Sequence, residues 1–262
     1  MHASTPSSTM TRSGSTPPAL RARGLSKSYR SPVLDNLDLD IEQGQFVAIM
    51  GPSGSGKSTL LHCLSGMDRP SGGSVLLGDT EITSLSEKEL AALRLTRFGF
   101  VFQQAHLMPT LCLLDNIVLP GFLAGLRPRP EVTARGEELM ERMGIAELAT
   151  SGVTEVSGGQ LQRAGICRAL INDPGIVFAD EPTGVLNSAT ALQILDLLGE
   201  IHASGTTLVM VTHDAQVAAR ADRVLVLVDG RIMEDLLLGG YEEAEGPSRL
   251  ATVTEALQRR SV

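Results

Sequence analysis

The sequence predicts an α/β fold, a mostly parallel sheet with flanking helices and an inserted, mostly helical subdomain. Three observations lead there. Five short apolar runs, FVAIM (46–50), FGFVF (98–102), GIVFAD (175–180), TTLVMVTH (206–213) and RVLVLV (223–228), have the near-continuous hydrophobicity of strands buried on both faces. Stretches of helical pattern lie between them, and strand–helix–strand alternation implies parallel neighbours. The first run ends in a glycine-rich loop, as a buried parallel strand of such a sheet does.

The elements follow in order. Residues 1–19 are rich in Ser, Thr, Pro and Gly, lack an apolar core region, and read as a disordered tail rather than a secretory signal. From about Ala22 to Val47, short alternations such as LDNLDLDI predict half-buried strands, broken at Gly44. A helix is expected from Lys57 to about Met67, and another over 85–97. Residues 105–165, rich in Leu, Glu, Ala and Arg, form the helical subdomain, interrupted at Pro109, Pro120 and the RPRP of 127–130. The stretch 241–262 opens with an acidic cluster and reads as a peripheral C-terminal tail. There is no internal repeat.

Composition narrows the partners. The 262 residues carry a net charge of −8, with 42% hydrophobic and 20% charged residues, as in a soluble globular protein. Binding to a nucleic-acid backbone rests on Lys/Arg clusters that release counterions, so no nucleic-acid partner is expected. Cys63, Cys112 and Cys167 are isolated and lack metal-ligand spacing, which fits reduced thiols in a reducing compartment. No run of about 18 apolar residues is present to span a membrane. The chain is therefore expected in the cytoplasm unless something else holds it at a membrane.

The sharpest motif is Gly51-Pro52-Ser53-Gly54-Ser55-Gly56-Lys57-Ser58, which matches G-x-x-x-x-G-K-[ST] between an expected strand and an expected helix. Glycines let backbone N–H groups turn inward toward an anion, and the following helix aims its partly positive end at the same place. Lys57 adds a full charge for the outer phosphates of a nucleotide, and Ser58 offers a hydroxyl to Mg²⁺. GIVFADE places two carboxylates at the end of an apolar strand, and buried charge is costly unless paired or metal-bound. Asp180 is placed for the Mg²⁺ shell and Glu181 for polarising a water that attacks the γ-phosphate. His213 ends another apolar strand, on the ligand-binding edge of such a sheet. Ser157-Gly158-Gly159-Gln160 reads as a capping box, yet its glycines also expose helix-terminal N–H groups, a second anion site on the same chain. A dimer would explain two such sites.

Together these residues resemble the nucleotide-binding domain of ABC transporters, over about residues 20–235. GPSGSGKST, through Thr59, resembles its Walker A loop, IVFADE its Walker B strand, and SGGQLQR its signature motif. Gln103 in FVFQQ matches the Q-loop glutamine, which also meets the metal, and His213 matches the switch histidine. Tyr29 sits where the family places an aromatic on adenine. RFGFVFQQAHLMPTL and FADEPTGVLNS resemble the branch of lipoprotein-releasing, macrolide-export and antimicrobial-peptide-export ATPases.

The resemblance implies a P-loop NTPase core, an antiparallel β subdomain and an ATPase domain over 20–240. It implies ATP and Mg²⁺ as cofactors, and a head-to-tail homodimer or heterodimer in which each ATP meets the signature motif of the partner. It also implies an integral membrane permease that holds the chain at the inner face of the plasma membrane. Control of an extracytoplasmic enzyme or sensor, without transport, is the alternative. The chain departs from the pattern at Val156, where the family has Leu, at Val185, where the branch has Asn, and at Asn187, where the family has Asp. Asn187 keeps the shape and hydrogen bonding of Asp but loses its charge.

Overall fold

The structure, a computed structural model, describes residues 18–260. The expected N-terminal tail thus falls almost wholly outside the described residues, while Ala19 already packs into the core. Ten strands and eight α-helices follow. They are β1 (Leu20–Ser28), β2 (Pro32–Ile41), β3 (Phe46–Met50), α1 (Lys57–Leu64), β4 (Gly72–Leu77), β5 (Thr80–Glu81), α2 (Glu87–Arg97), β6 (Phe98–Phe102), α3 (Leu113–Ala124), α4 (Arg129–Arg142) and α5 (Gly158–Leu170). Next come β7 (Ile176–Asp180), α6 (Ser188–Ala203), β8 (Thr207–Val211), α7 (Ala215–Ala218), β9 (Arg223–Val228), β10 (Arg231–Leu237) and α8 (Gly246–Arg259).

Two sheets form. The larger has the order β10-β9-β3-β8-β7-β6, parallel throughout except for the β9–β10 hairpin. The smaller, β2-β1-β4-β5, is antiparallel. Strand β3 shows how one sequence serves two layers. Phe46, Ala48 and Met50 face the core shared with the helical subdomain, and Val47 and Ile49 face the core under the smaller sheet. A strand covered on both faces has no polar side to show, so its sequence carries no alternation. Helix α1 lies in that second core, with Leu60, Leu61 and Leu64 buried beside Leu25, Leu34 and Val75 of the small sheet. The phosphate loop is thereby fixed at both ends, by the central strand and by a buried helix. Burial pushes the Cys63 thiol up to about 11 and that of Cys167 up to about 12, so both act as small hydrophobes.

Two expectations are corrected. Pro120 does not interrupt its helix, because α3 runs through it to Ala124. Proline cannot donate to the carbonyl of Asn116, yet close packing holds the helix. A Cβ on Gly121 would stand 2.4 Å from Val132 of α4, so the two helices touch there. The segment from Tyr241 is not a peripheral tail, since α8 docks on α7 and β9 with Val253 and Ala256 buried. Arg249, 5% exposed, anchors it by donating to the carbonyls of Ala219, Ala221, Gly239 and Gly240 at 2.5–2.9 Å.

Candidate nucleotide site

The loop from Gly51 to Gly56 is shaped by glycines at positive φ. Gly51 has φ 148° and Gly56 φ 102°, regions that disfavour side chains. A Cβ on Gly51 would stand 2.0 Å from the Leu227 carbonyl oxygen, and one on Gly56 2.9 Å from that of Val33. The backbone therefore lies too close to its neighbours for any other residue. Gly56 then caps α1, whose first N–H groups have no partner within the helix.

Lys57 donates to the carbonyls of Gly51 at 2.9 Å and Pro52 at 2.8 Å, so its ammonium is folded over the loop. Burial holds its pKa below the ordinary value, and the carboxylates of Glu181 and Asp180 oppose that shift. The ammonium thus sits partly desolvated with negative charge nearby, a position from which it gains by meeting a further anion. The Ser55 hydroxyl is buried and has no hydrogen-bond partner among the described residues. An orphaned polar atom inside a glycine-lined cradle fits an acceptor such as a phosphate oxygen.

The acids arrive at the ends of parallel strands. Asp180 closes β7 and accepts from the Ser58 hydroxyl at 3.1 Å, which joins two of the three expected Mg²⁺ ligands. Glu181 has φ 50°, a left-handed conformation that costs a side-chain-bearing residue energy and persists only where the surroundings enforce it. Its N–H is held by the Val211 carbonyl at 3.0 Å, and its own carbonyl accepts from Gly184 at 3.0 Å. The turn aims the carboxylate at His213, whose Nδ1 lies 2.5 Å from Glu181 Oε2. Glu181 is 21% exposed by side chain and His213 69%, so the carboxylate is sheltered and the histidine lies at the surface.

Gln103 stands just past β6, and its amide lies against Gly184, 2.6 Å from where a Cβ would be. It thus borders the loop that follows Glu181. Ser157 and Gln160 form the capping box at the start of α5, with Ser157 N–H donating to Gln160 Oε1 at 2.8 Å and Gln160 N–H to Ser157 Oγ at 3.3 Å. Gly158 and Gly159 pack against Leu186 and Thr190. Among the described residues no hydrogen bond links this segment to the phosphate loop of its own chain. Asn187 caps α6, accepting from Thr190 N–H at 3.0 Å.

The sequence reading missed two partners of Tyr29. Lys27 and Asp68 flank it, and the apolar spacing of Lys27 within β1 was the one available signal of its burial. It also missed a cleft of about 410 Å³ between β6 and helices α2, α3 and α5, lined by Met67, Phe98, Phe100 and Phe102 among others. The three phenylalanines were legible as strand but not as cleft wall.

The family model described as "ABC transporter" matches residues 34–184. The chain belongs to the ABC transporter family. It is 45% identical over 235 residues to a macrolide export ATP-binding/permease protein, MacB 1/2, of Paracoccus denitrificans (strain Pd 1222), covering 88% of this chain and 35% of that one. It is 47% identical over 218 residues to MacB of Rhodopseudomonas palustris (strain BisB18), covering 81% of this chain and 33% of that one. The chain therefore spans about a third of the length of these curated relatives. Among solved structures it resembles the dimeric ATP-binding cassette MJ0796 in a post-hydrolysis state bound to ADP and Pi. That match has a TM-score of 0.78 and 37% identity, over 85% of this chain and all of that one. It also resembles cbiO1 from Clostridium perfringens, part of the ABC transporter complex cbiONQ. There the TM-score is 0.78 and the identity 27%, over 93% of this chain and 97% of that one. The ABC fold of the described residues agrees with the expected α/β core, antiparallel β sheet and helical insertion.

Proposed function

We propose that the chain is the ATP-binding, ATP-hydrolysing subunit of an ABC transport machine, working in a head-to-tail dimer on a membrane permease. The observation that carries this is the convergence of Lys57, Ser58–Asp180 and Glu181–His213 around one glycine-lined loop. The loop N–H groups from Gly51 to Thr59 and the Lys57 ammonium hold the phosphates. Ser58, Asp180 and Gln103 would hold the metal, and the donor set of hydroxyl, carboxylate and amide oxygens suits Mg²⁺. When bound, Mg²⁺ neutralises charge on the phosphate oxygens.

Glu181 accepts the proton of the attacking water, and its sheltered, strained position keeps the carboxylate aimed. His213, hydrogen-bonded to it, fixes the carboxylate. The capping box at Ser157–Gln160 serves the ATP of the partner chain, which accounts for its distance in bonding from the loop of its own. The likeness to a dimeric cassette bound to ADP and Pi supports this arrangement.

The phenylalanine-lined cleft beside Gln103 is the surface on which a helix of the permease docks. Among the described residues no helix is long and apolar enough to cross a membrane; the chain would sit at the inner face of the membrane through that contact. The likeness to macrolide export proteins supports export as the work done; extraction of a lipoprotein or peptide is the reading of the sequence motifs. Replacing Glu181 with Gln tests the core of this reading. Hydrolysis should fall by about two orders of magnitude or more while ATP affinity is retained. Unchanged turnover would reassign the base.

A further inference from the structure

Tyr29 is tied down although it is 61% exposed. Its hydroxyl donates to Asp68 Oδ2. Asp68 stands just past the end of α1, the helix that begins in the phosphate loop. The other oxygen of Asp68 accepts from Lys27 Nζ at 2.6 Å. The Lys27 side chain is 10% exposed; it donates again to the Arg69 carbonyl at 2.6 Å and holds its ammonium 4.7 Å from the centre of the Tyr29 ring. One face of the ring therefore rests on a cation that is itself buried, paired and fixed. The exposure of Tyr29 lies on what remains.

We propose that Lys27 and Asp68 are positioning residues for recognition of the purine base, holding the Tyr29 ring ready to stack on it. The inference rests on the reading of Tyr29 as the adenine platform. A free surface tyrosine loses rotamer freedom when it stacks, which weakens binding. A ring fixed in advance by a phenol–carboxylate hydrogen bond does not. The ammonium beneath is attracted to the ring's negative face and adds to that hold. The hydrogen bond to Asp68 is the main cause that raises the Tyr29 phenol above its ordinary pKa, so it stays a donor through neutral pH. Because Asp68 follows α1, the ring and the phosphate loop are held by the two ends of one buried helix.

The test is calorimetric titration of the full chain with Mg²⁺ and either ATP or inorganic tripolyphosphate. Tyr29→Phe and Asp68→Asn should each weaken ATP binding about three- to tenfold, the range of one lost hydrogen bond. Tripolyphosphate affinity should not change, because neither variant touches the phosphate loop. The double variant should be no weaker than either single one, since both break the same contact. Equal losses for ATP and tripolyphosphate in Asp68→Asn would make Asp68 a support of the phosphate loop and overturn the proposal, as would no loss at all. Tyr29→Ala separates the two readings. Full ATP affinity in that variant means that the platform itself is wrong. Weakened ATP binding there, with Tyr29→Phe and Asp68→Asn unaffected, keeps the platform and removes the positioning role.

Discussion

The side chains that define the site are held by local rules that single substitutions can probe. Asn187 is one case. Its amide oxygen caps α6, which Asp would do equally well, so the departure from the family pattern leaves the helix end intact. Asn187→Asp should change stability by no more than about 1 kcal/mol, in the stabilising direction, because a negative charge at a helix N-terminus is favoured. Asn187→Ala should cost about 1 kcal/mol. Urea unfolding measures both. Away from the site, His202 Nε2 lies 3.2 Å from Asp222 Oδ2. The bond to Asp222 raises the His202 pKa above its ordinary 6.5. Burial acts to raise Asp222, but its bonds to His202 and to the Phe46 N–H, with the charges of His202 and Arg249, bring it below 3.8.

The signs follow from linkage. The His202 contribution is complete below about pH 6.5 and is lost as pH rises through its raised folded value. The Asp222 contribution is present above about pH 4 and is lost as pH falls through its lowered folded value. Stability from this pair is therefore greatest in mild acid. The free energy of unfolding should decline as pH rises from about 6.5, and His202→Gln should abolish that decline.

At the scale of elements, what could be read in the sequence depended on burial. The strands of the large sheet were legible because both faces are covered, which writes them as unbroken apolar runs. Strand β10 was not, since its side chains alternate between exposed and half-buried at a sheet edge. Strand β4 begins with Gly72-Gly73, which reads as a turn; a Cβ on Gly73 would stand 2.4 Å from the Gly24 carbonyl oxygen, so the glycine serves a close strand contact. Helix α8 was hidden for another reason. Besides the buried Val253 and Ala256, it is held by one arginine on backbone carbonyls, and carbonyl acceptors leave no trace in a sequence. Arg249→Ala should strand those carbonyls and cost roughly 2–4 kcal/mol, near the upper end for single substitutions. Thermal unfolding followed by circular dichroism would register it; an unchanged Tm would mean that α8 is not anchored this way. The helix directly braces α7, which starts one residue after His213-Asp214.

For the molecule as a whole, Lys57, Ser58, Asp180 and Glu181 come together because two parallel strands and one buried helix end at the same edge. The motifs named these residues, but their distances belong to the fold, and the Glu181–His213 contact depends on a left-handed turn that spacing does not encode. The cleft was likewise invisible, because α3 and α5 meet α2 and β6 only in the fold. Ala91 is exposed on α2 at its wall. If the proposed docking is right, Ala91→Glu should abolish co-purification with a permease and leave the ATPase rate of the free subunit as it was, because a charge would be desolvated on docking. Persisting association would place the permease elsewhere.

The central claim is that two helix ends of different chains close on one triphosphate. Sedimentation of the Glu181→Gln protein, with and without Mg²⁺-ATP, tests it most directly. The account predicts a monomer without nucleotide, a dimer with it, and loss of that dimer when Ser157→Arg is added. A protein that stays monomeric with saturating ATP, or a dimer indifferent to ATP and to Ser157→Arg, would contradict it.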